Sequence, residues 1–226
     1  MRNSTMNKLM FSISAAVVGS LFTVGTVSAE FQGISIDVID SGMGIGTTYR
    51  VYVDVDAGDQ VNAIFGDGVD LLTINGVDGA SFFQSEFGGA TSTSINSAFF
   101  AFFPSLEWDS YVTIGALHSD GTPFGNNALL DIGIDFASFE GGGVLSTNNG
   151  SWFATPSDEQ VHELDGRVLI GQFTVDGDVE GIINIQGKNA DLSNFQERGI
   201  TFSSVPAPGA IALLGLAGLA ARRRRS

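Results

Sequence analysis

The chain has 226 residues and no cysteine. Disulfide staples, thiol nucleophiles and cysteine-bound zinc are therefore excluded, and packing or bound ions must hold the fold together. Histidine is almost as scarce: His118 and His162 are the only two, which leaves little material for imidazole acid–base chemistry. Positive charge is the third shortage. Six of the ten basic residues are Arg2, Lys8, Arg222, Arg223, Arg224 and Arg225, near the two ends. Residues 30–204 hold only Arg50, Arg167, Lys188 and Arg198 against all 25 acidic residues, which leaves this body 21 charges negative. A surface so acidic excludes nucleic acid and anionic membranes as partners of its general field, and it favours solubility and tolerance of high salt. Also missing are a helical period over ten or more residues of the body, a repeat of fixed length and a Gly-x-Ser-x-Gly nucleophile elbow.

What is present is strand pattern. In 47–55, Tyr49, Val51, Val53 and Val55 share one face and Arg50, Tyr52 and Asp54 the other, the period of two of a half-buried strand. Further strands are expected at 31–38, 60–65, 71–75, 97–103, 111–117, 129–136, 167–175, 181–186 and 200–203, with one helical turn at 193–198. Between them stand Asp67-Gly68, Asp78-Gly79, Asp120-Gly121, Asn149-Gly150 and Asp176-Gly177. Turn dipeptides at such short spacing predict an all-β fold, an antiparallel β-sandwich of jelly-roll-like or Ig-like kind. The clearest expected hairpin joins 167–175 to 178–186 through Asp176-Gly177. Sixteen of the chain's 18 phenylalanines and long β-branched runs give this body a core and argue against disorder.

Two acidic turns suit a hard cation such as Ca²⁺, which would also relieve the unpaired negative charge. Asp54, Asp56 and Asp59 crowd one strand end. Asp176, Asp178 and Glu180 with Gly181 resemble the start of a calcium loop, although Gly187 stands where a bidentate glutamate belongs. A solvated acidic turn in the first place and a hairpin turn in the second are the competing readings. Trp108 and Trp152, beside the aromatic stretch 99–103, are candidate platforms for sugar rings, set against burial in the core. The pairs Glu107/Asp109 and Glu159/Glu163 carry no weight as glycosidase carboxylates, because acids this close are expected by chance in so acidic a chain. No catalytic residue is assigned.

The ends differ from the body. Residues 1–29 carry Arg2 and Lys8, an apolar run over 9–27, and Val27-Ser28-Ala29 before Glu30. Small residues at these places make a secretory signal peptide cleaved between Ala29 and Glu30. At the other end a linker from Ser204 holds Pro206, Ala207 and Pro208, then an apolar run over 209–221, then Arg222, Arg223, Arg224 and Arg225. Thirteen apolar residues in a helix reach about 20 Å against a hydrocarbon core of about 30 Å. Such a segment suits transient membrane insertion, with the arginines held on the cytoplasmic side and the body outside.

The proline pair, the Gly/Ala/Leu run and the arginine block resemble the PEP-CTERM sorting signal of Gram-negative and related bacteria, over about 22 residues. Ala207 stands where that signal usually has a glutamate. The resemblance implies processing by an exosortase, a membrane cysteine transpeptidase, with Pro206, Ala207 and Pro208 as the sorting motif and the arginines setting topology. The body is similar in texture to the β-sandwich domains that accompany such signals. The expected organisation is a signal peptide at 1–29, a sandwich at 30–203 and a sorting segment at 204–226. The expected function is that of an exported, non-enzymatic cell-envelope or extracellular-matrix protein, whose partners are the secretion machinery, exosortase and exopolysaccharide. A secreted carbohydrate-binding module and a polysaccharide hydrolase are the alternatives.

Overall fold

The computed structural model describes residues 31–206. The expected signal peptide, its expected cleavage site at Ala29 and Glu30, and the tail from Ala207 through Pro208 and Arg222–Arg225 lie outside them. Eleven strands run through the described residues: β1 (Gly33–Asp40), β2 (Thr47–Asp54), β3 (Gln60–Gly66), β4 (Leu72–Gly76), β5 (Tyr111–Val112), β6 (Leu130–Ile132), β7 (Leu145–Thr147), β8 (Gly150–Phe153), β9 (Arg167–Val175), β10 (Val179–Lys188) and β11 (Asn194–Ser203). The one α-helix among them is a single turn, α1 (Ala137–Glu140).

Alternation along the strands builds two layers. On β2, Tyr49, Val51 and Val53 are buried, and β1 sets Val38, Ile36 and Ile34 directly opposite them. β2 pairs on its other edge with β9, and β9 with β5, so the first antiparallel sheet has the order β1-β2-β9-β5. The second sheet is centred on β10, whose inward residues Val179, Ile183 and Ile185 are buried. β3 and β4 lie end to end along one edge of β10, pairing Lys188–Asn184 and Ile182–Val179 respectively. They are in effect one strand broken by the excursion 67–71. β8 and β7 follow the same broken edge, pairing with β3 and β4. β6 closes that side against β8, and β11 covers the other edge of β10. The two sheets face each other across one core containing Val51, Val53, Ile64, Ile74, Trp152 and Phe173.

Local chemistry explains the breaks. Asn184, on the outward face of β10 yet fully buried, sits where the broken strand leaves its edge. Its Nδ2 donates to the carbonyls of Phe65 and Asp70, both at 2.9 Å, and its Oδ1 accepts the Gly199 N–H at 2.9 Å. The side chain thus replaces the missing ladder bonds. Gly199, with φ of +63°, forms the bulge that shifts the β10–β11 register between Ile183 and Ile185. On the inward face, Phe202 and Phe195 of β11 stand opposite Gly181 and Gly187 of β10. A Cβ on Gly187 would come within 2.3 Å of the Phe195 ring, so these glycines make room for aromatic rings.

Five expectations are corrected here. Asp176-Gly177 does not close a hairpin: β9 belongs to the first sheet and β10 to the second, so this turn is a corner between layers. Residues 97–103 are turns, because Asn96 Oδ1 caps a 3₁₀ turn through the Ala98 N–H at 3.0 Å and Pro104 opens another. The turn expected at 193–198 is extended as part of β11, drawn into the ladder by β10. β7 and β8 were not foreseen. The strands expected at 111–117 and 129–136 shrink to β5 and β6, cut short before Gly115 and Gly133, which have φ of +69° and +70°.

Candidate functional site

The long connection between β4 and β6 lies over the outer face of β9. Gln172 donates to the carbonyls of Glu107 and Asp109 at 3.0 and 2.9 Å, and the Phe83 N–H donates to Thr174 O at 2.8 Å. Under this cover Ile95, Leu106 and Tyr111 form a second small core. Asp109 is fully buried there and accepts three backbone N–H groups, from Ser85, Gly89 and Ser110, at 2.7, 3.0 and 3.0 Å. Burial outweighs those donors and, with Glu140 adding repulsion, pushes its carboxyl up to about 6. It fastens a loop rather than facing a cleft.

Trp152 is corrected as a sugar platform. Its side chain is fully buried, and its indole N–H donates to Thr113 O at 3.0 Å. Trp108 is half-buried in the turn Pro104–Trp108. The exposed aromatics are phenylalanines instead: Phe102 at 75%, Phe99 at 47% and Phe87 at 45%, with Phe87 stacked on Phe103 at 3.7 Å. Beside this strip the Asp120 carboxylate is held by the Ser97 hydroxyl at 2.6 Å, which with the Thr122 N–H keeps it down to about 2.

The acidic turns do not gather as expected. Among the described residues no three His, Asp or Glu side chains come together around one point. Asp54 accepts from Ser35 Oγ at 2.6 Å on the outer face of the first sheet. Asp178 accepts from Ser204 Oγ at 2.7 Å, and Glu180 from Asn75 Nδ2 at 3.1 Å, while Asp176 is exposed. Of the six, Asp59 alone is buried, 1% exposed, with Asp56 behind it in the same turn. Its Oδ1 accepts the Ala190 N–H at 2.8 Å and its Oδ2 has no partner. Burial raises its pKa, and Asp56 and Asp191 add to the rise against hydrogen bonds from Ala190 and Asp56. Nothing in the sequence pointed to Asn189 and Ala190 as neighbours of this turn, 130 residues away, except the fold itself.

Concavity is modest. A cleft of about 140 Å³ is lined by Tyr52, Phe124, His162, Asp165 and Arg167, among others. Arg167 lies 3.9 Å over the Tyr52 ring and is held by Asp37 through two bonds of 2.9 Å, so its charge is already matched. His162 bridges to Gln60 at 3.1 Å. An open apolar groove separates β1 from β11 and ends at Val205 and Pro206, where the described residues stop. Neither place is lined by two carboxylates, the geometry that glycoside hydrolysis requires. No helix among the described residues is long and apolar enough to cross a membrane. Comparison of the chain with protein-family models, curated proteins and solved structures finds no match.

Proposed function

We propose that this chain is an exported, non-enzymatic cell-envelope or extracellular-matrix protein of a bacterium, carried out by its N-terminal signal and sorted by its C-terminal segment. The observation that carries this reading is the order of the tail. Pro206, Ala207 and Pro208, an apolar run and Arg222–Arg225 follow a body that holds only four basic residues. Positive charge withheld from the body and placed in a block behind a short apolar run marks topology, not folding. In this reading exosortase and the secretion machinery are its first partners. The mature form is an acidic sandwich, of jelly-roll-like or Ig-like plan, displayed at the cell surface or within exopolysaccharide.

Intact-mass measurement of the protein recovered from its native host tests the proposal. A mature species beginning at Glu30 and lacking the four arginines is expected, and a secreted species that keeps Ser226 overturns sorting. A secreted carbohydrate-binding module is the second reading. It is favoured by the exposed strip of Phe87, Phe99 and Phe102, whose faces suit the C–H faces of sugar rings.

A further inference from the structure

The turn between β2 and β3 meets the tip of the β10–β11 hairpin. The Asp59 carboxylate takes the Ala190 N–H at 2.8 Å, and a Cβ on Gly58 would lie 3.2 Å from the Ala190 methyl. Four buried side-chain atoms among the described residues lack a hydrogen-bond partner, and two of them belong to this junction: Asp59 Oδ2 and Asn189 Oδ1. Hydrogen-bond logic settles the orientation of the Asn189 amide. Ser193 Oγ donates to Asp191 Oδ1, so it accepts from Asn189 Nδ2 at 2.9 Å, which leaves the amide oxygen as the unmatched end. Both orphans are therefore acceptors, and the side chain that carries the first is 1% exposed.

The charges acting on Asp59 from Asp56 and Asp191 are negative. Lys188, the base beside this hairpin tip, turns to Leu192 O at 3.4 Å and Asn194 Oδ1 at 3.0 Å. Buried acceptors left without donors inside a negative field are what a hard cation satisfies.

We propose that the junction of the β2–β3 turn with the β10–β11 hairpin tip is a Ca²⁺ site, with Asp59 Oδ2 and Asn189 Oδ1 as its side-chain ligands. Asp56 and Asp191 supply outer negative charge, and backbone carbonyls or water complete the shell. Calcium suits this irregular set of oxygens better than magnesium, which demands a near-ideal octahedron. The ion ties the β2–β3 turn, where Asp59 adjoins the start of β3, to the tip of the β10–β11 hairpin. It does in this cysteine-free chain what a disulfide does elsewhere, and the inference does not depend on how the chain is sorted.

The test uses the full chain stripped with chelator and titrated with CaCl₂. One carboxylate and one amide predict a Kd of about 10⁻⁴–10⁻³ M, and a Tm rise of about 3–6 °C at ten times Kd. Asp59→Asn abolishes the rise. Because it removes a buried charge, its Tm in chelator is no lower than the parent's, so loss of the response is not loss of the fold. Asn189→Asp, which adds a carboxylate to the shell, lowers Tm in chelator and tightens Kd about tenfold. Glu180→Gln, in the other acidic turn, responds as the parent does. A parent Tm unmoved by about 10 mM CaCl₂, ten times the weak end of that range, overturns the site, as does a response that survives in Asp59→Asn. A water or a proton on Asp59 then joins the two oxygens.

Discussion

Asp109 shows how one carboxylate can fasten a loop and still cost stability. Its three N–H donors hold Ser85, Gly89 and Ser110 in place. Its carboxyl is nevertheless pushed up to about 6, because burial removes more solvation than those donors restore. Between about pH 4 and pH 6 the folded chain thus keeps a proton that the unfolded chain has lost. By linkage, the contribution of this group to stability falls as pH rises through that window and is flat above it. The drop is on the order of 2–3 kcal/mol. Asp109→Asn, a neutral side chain of the same shape, removes it. Urea denaturation of both chains at pH 4.5 and pH 7 gives the difference directly, which cancels the general repulsion of the acidic surface. Parallel pH dependence in the two chains would show that Asp109 is charged in the fold throughout.

Asn184 governs the broken edge of β10 in a similar way, but through neutral bonds. Replacing it by alanine leaves the carbonyls of Phe65 and Asp70 and the Gly199 N–H without their partner. A loss of about 3 kcal/mol is expected, seen as a lower urea midpoint at unchanged m-value. Asn184→Asp should lose more, since a carboxylate cannot donate to two carbonyls and would set its oxygens against those of Phe65 and Asp70. Equal midpoints for the two variants would mean that water takes over the bonds. The excursion that needs Asn184 was legible only as Asp67-Gly68, a turn without a destination. The same limit explains Asp176-Gly177. A dipeptide of that kind reports that the chain reverses, and β9 was read along its full length from its apolar run. Which sheet the next strand joins depends on partners such as Gln60 and Thr73, more than a hundred residues away. Period-two burial on β2 was readable because each side chain reports its own face. The contact of Asp59 with Ala190 was not, because only the tertiary fold brings that turn to the hairpin tip.

The charge of the whole chain sets how it responds to its medium. The full chain carries a formal charge of −15, and the body alone is 21 charges negative. Against this stand the ion pairs of Arg167 with Asp37 and of Arg198 with Asp67 and Asp70, all partly exposed. Pairs of that kind contribute about 0–1 kcal/mol each, whereas the excess acids repel one another across the entire surface. Raising NaCl from about 0.1 M to about 1 M shortens the screening length from about 10 Å to about 3 Å. Both terms weaken, and the repulsion, spread over many more charges, loses more. The Tm of the chelator-treated chain should therefore climb steadily with NaCl, by on the order of 2–8 °C for a recovery of about 1–2 kcal/mol. This rise is distinct from the calcium response, because it needs no particular cation and survives in Asp59→Asn. A Tm that falls with salt would mean that the Arg167 and Arg198 pairs outweigh the repulsion, and that the acidic surface is not what this fold strains against.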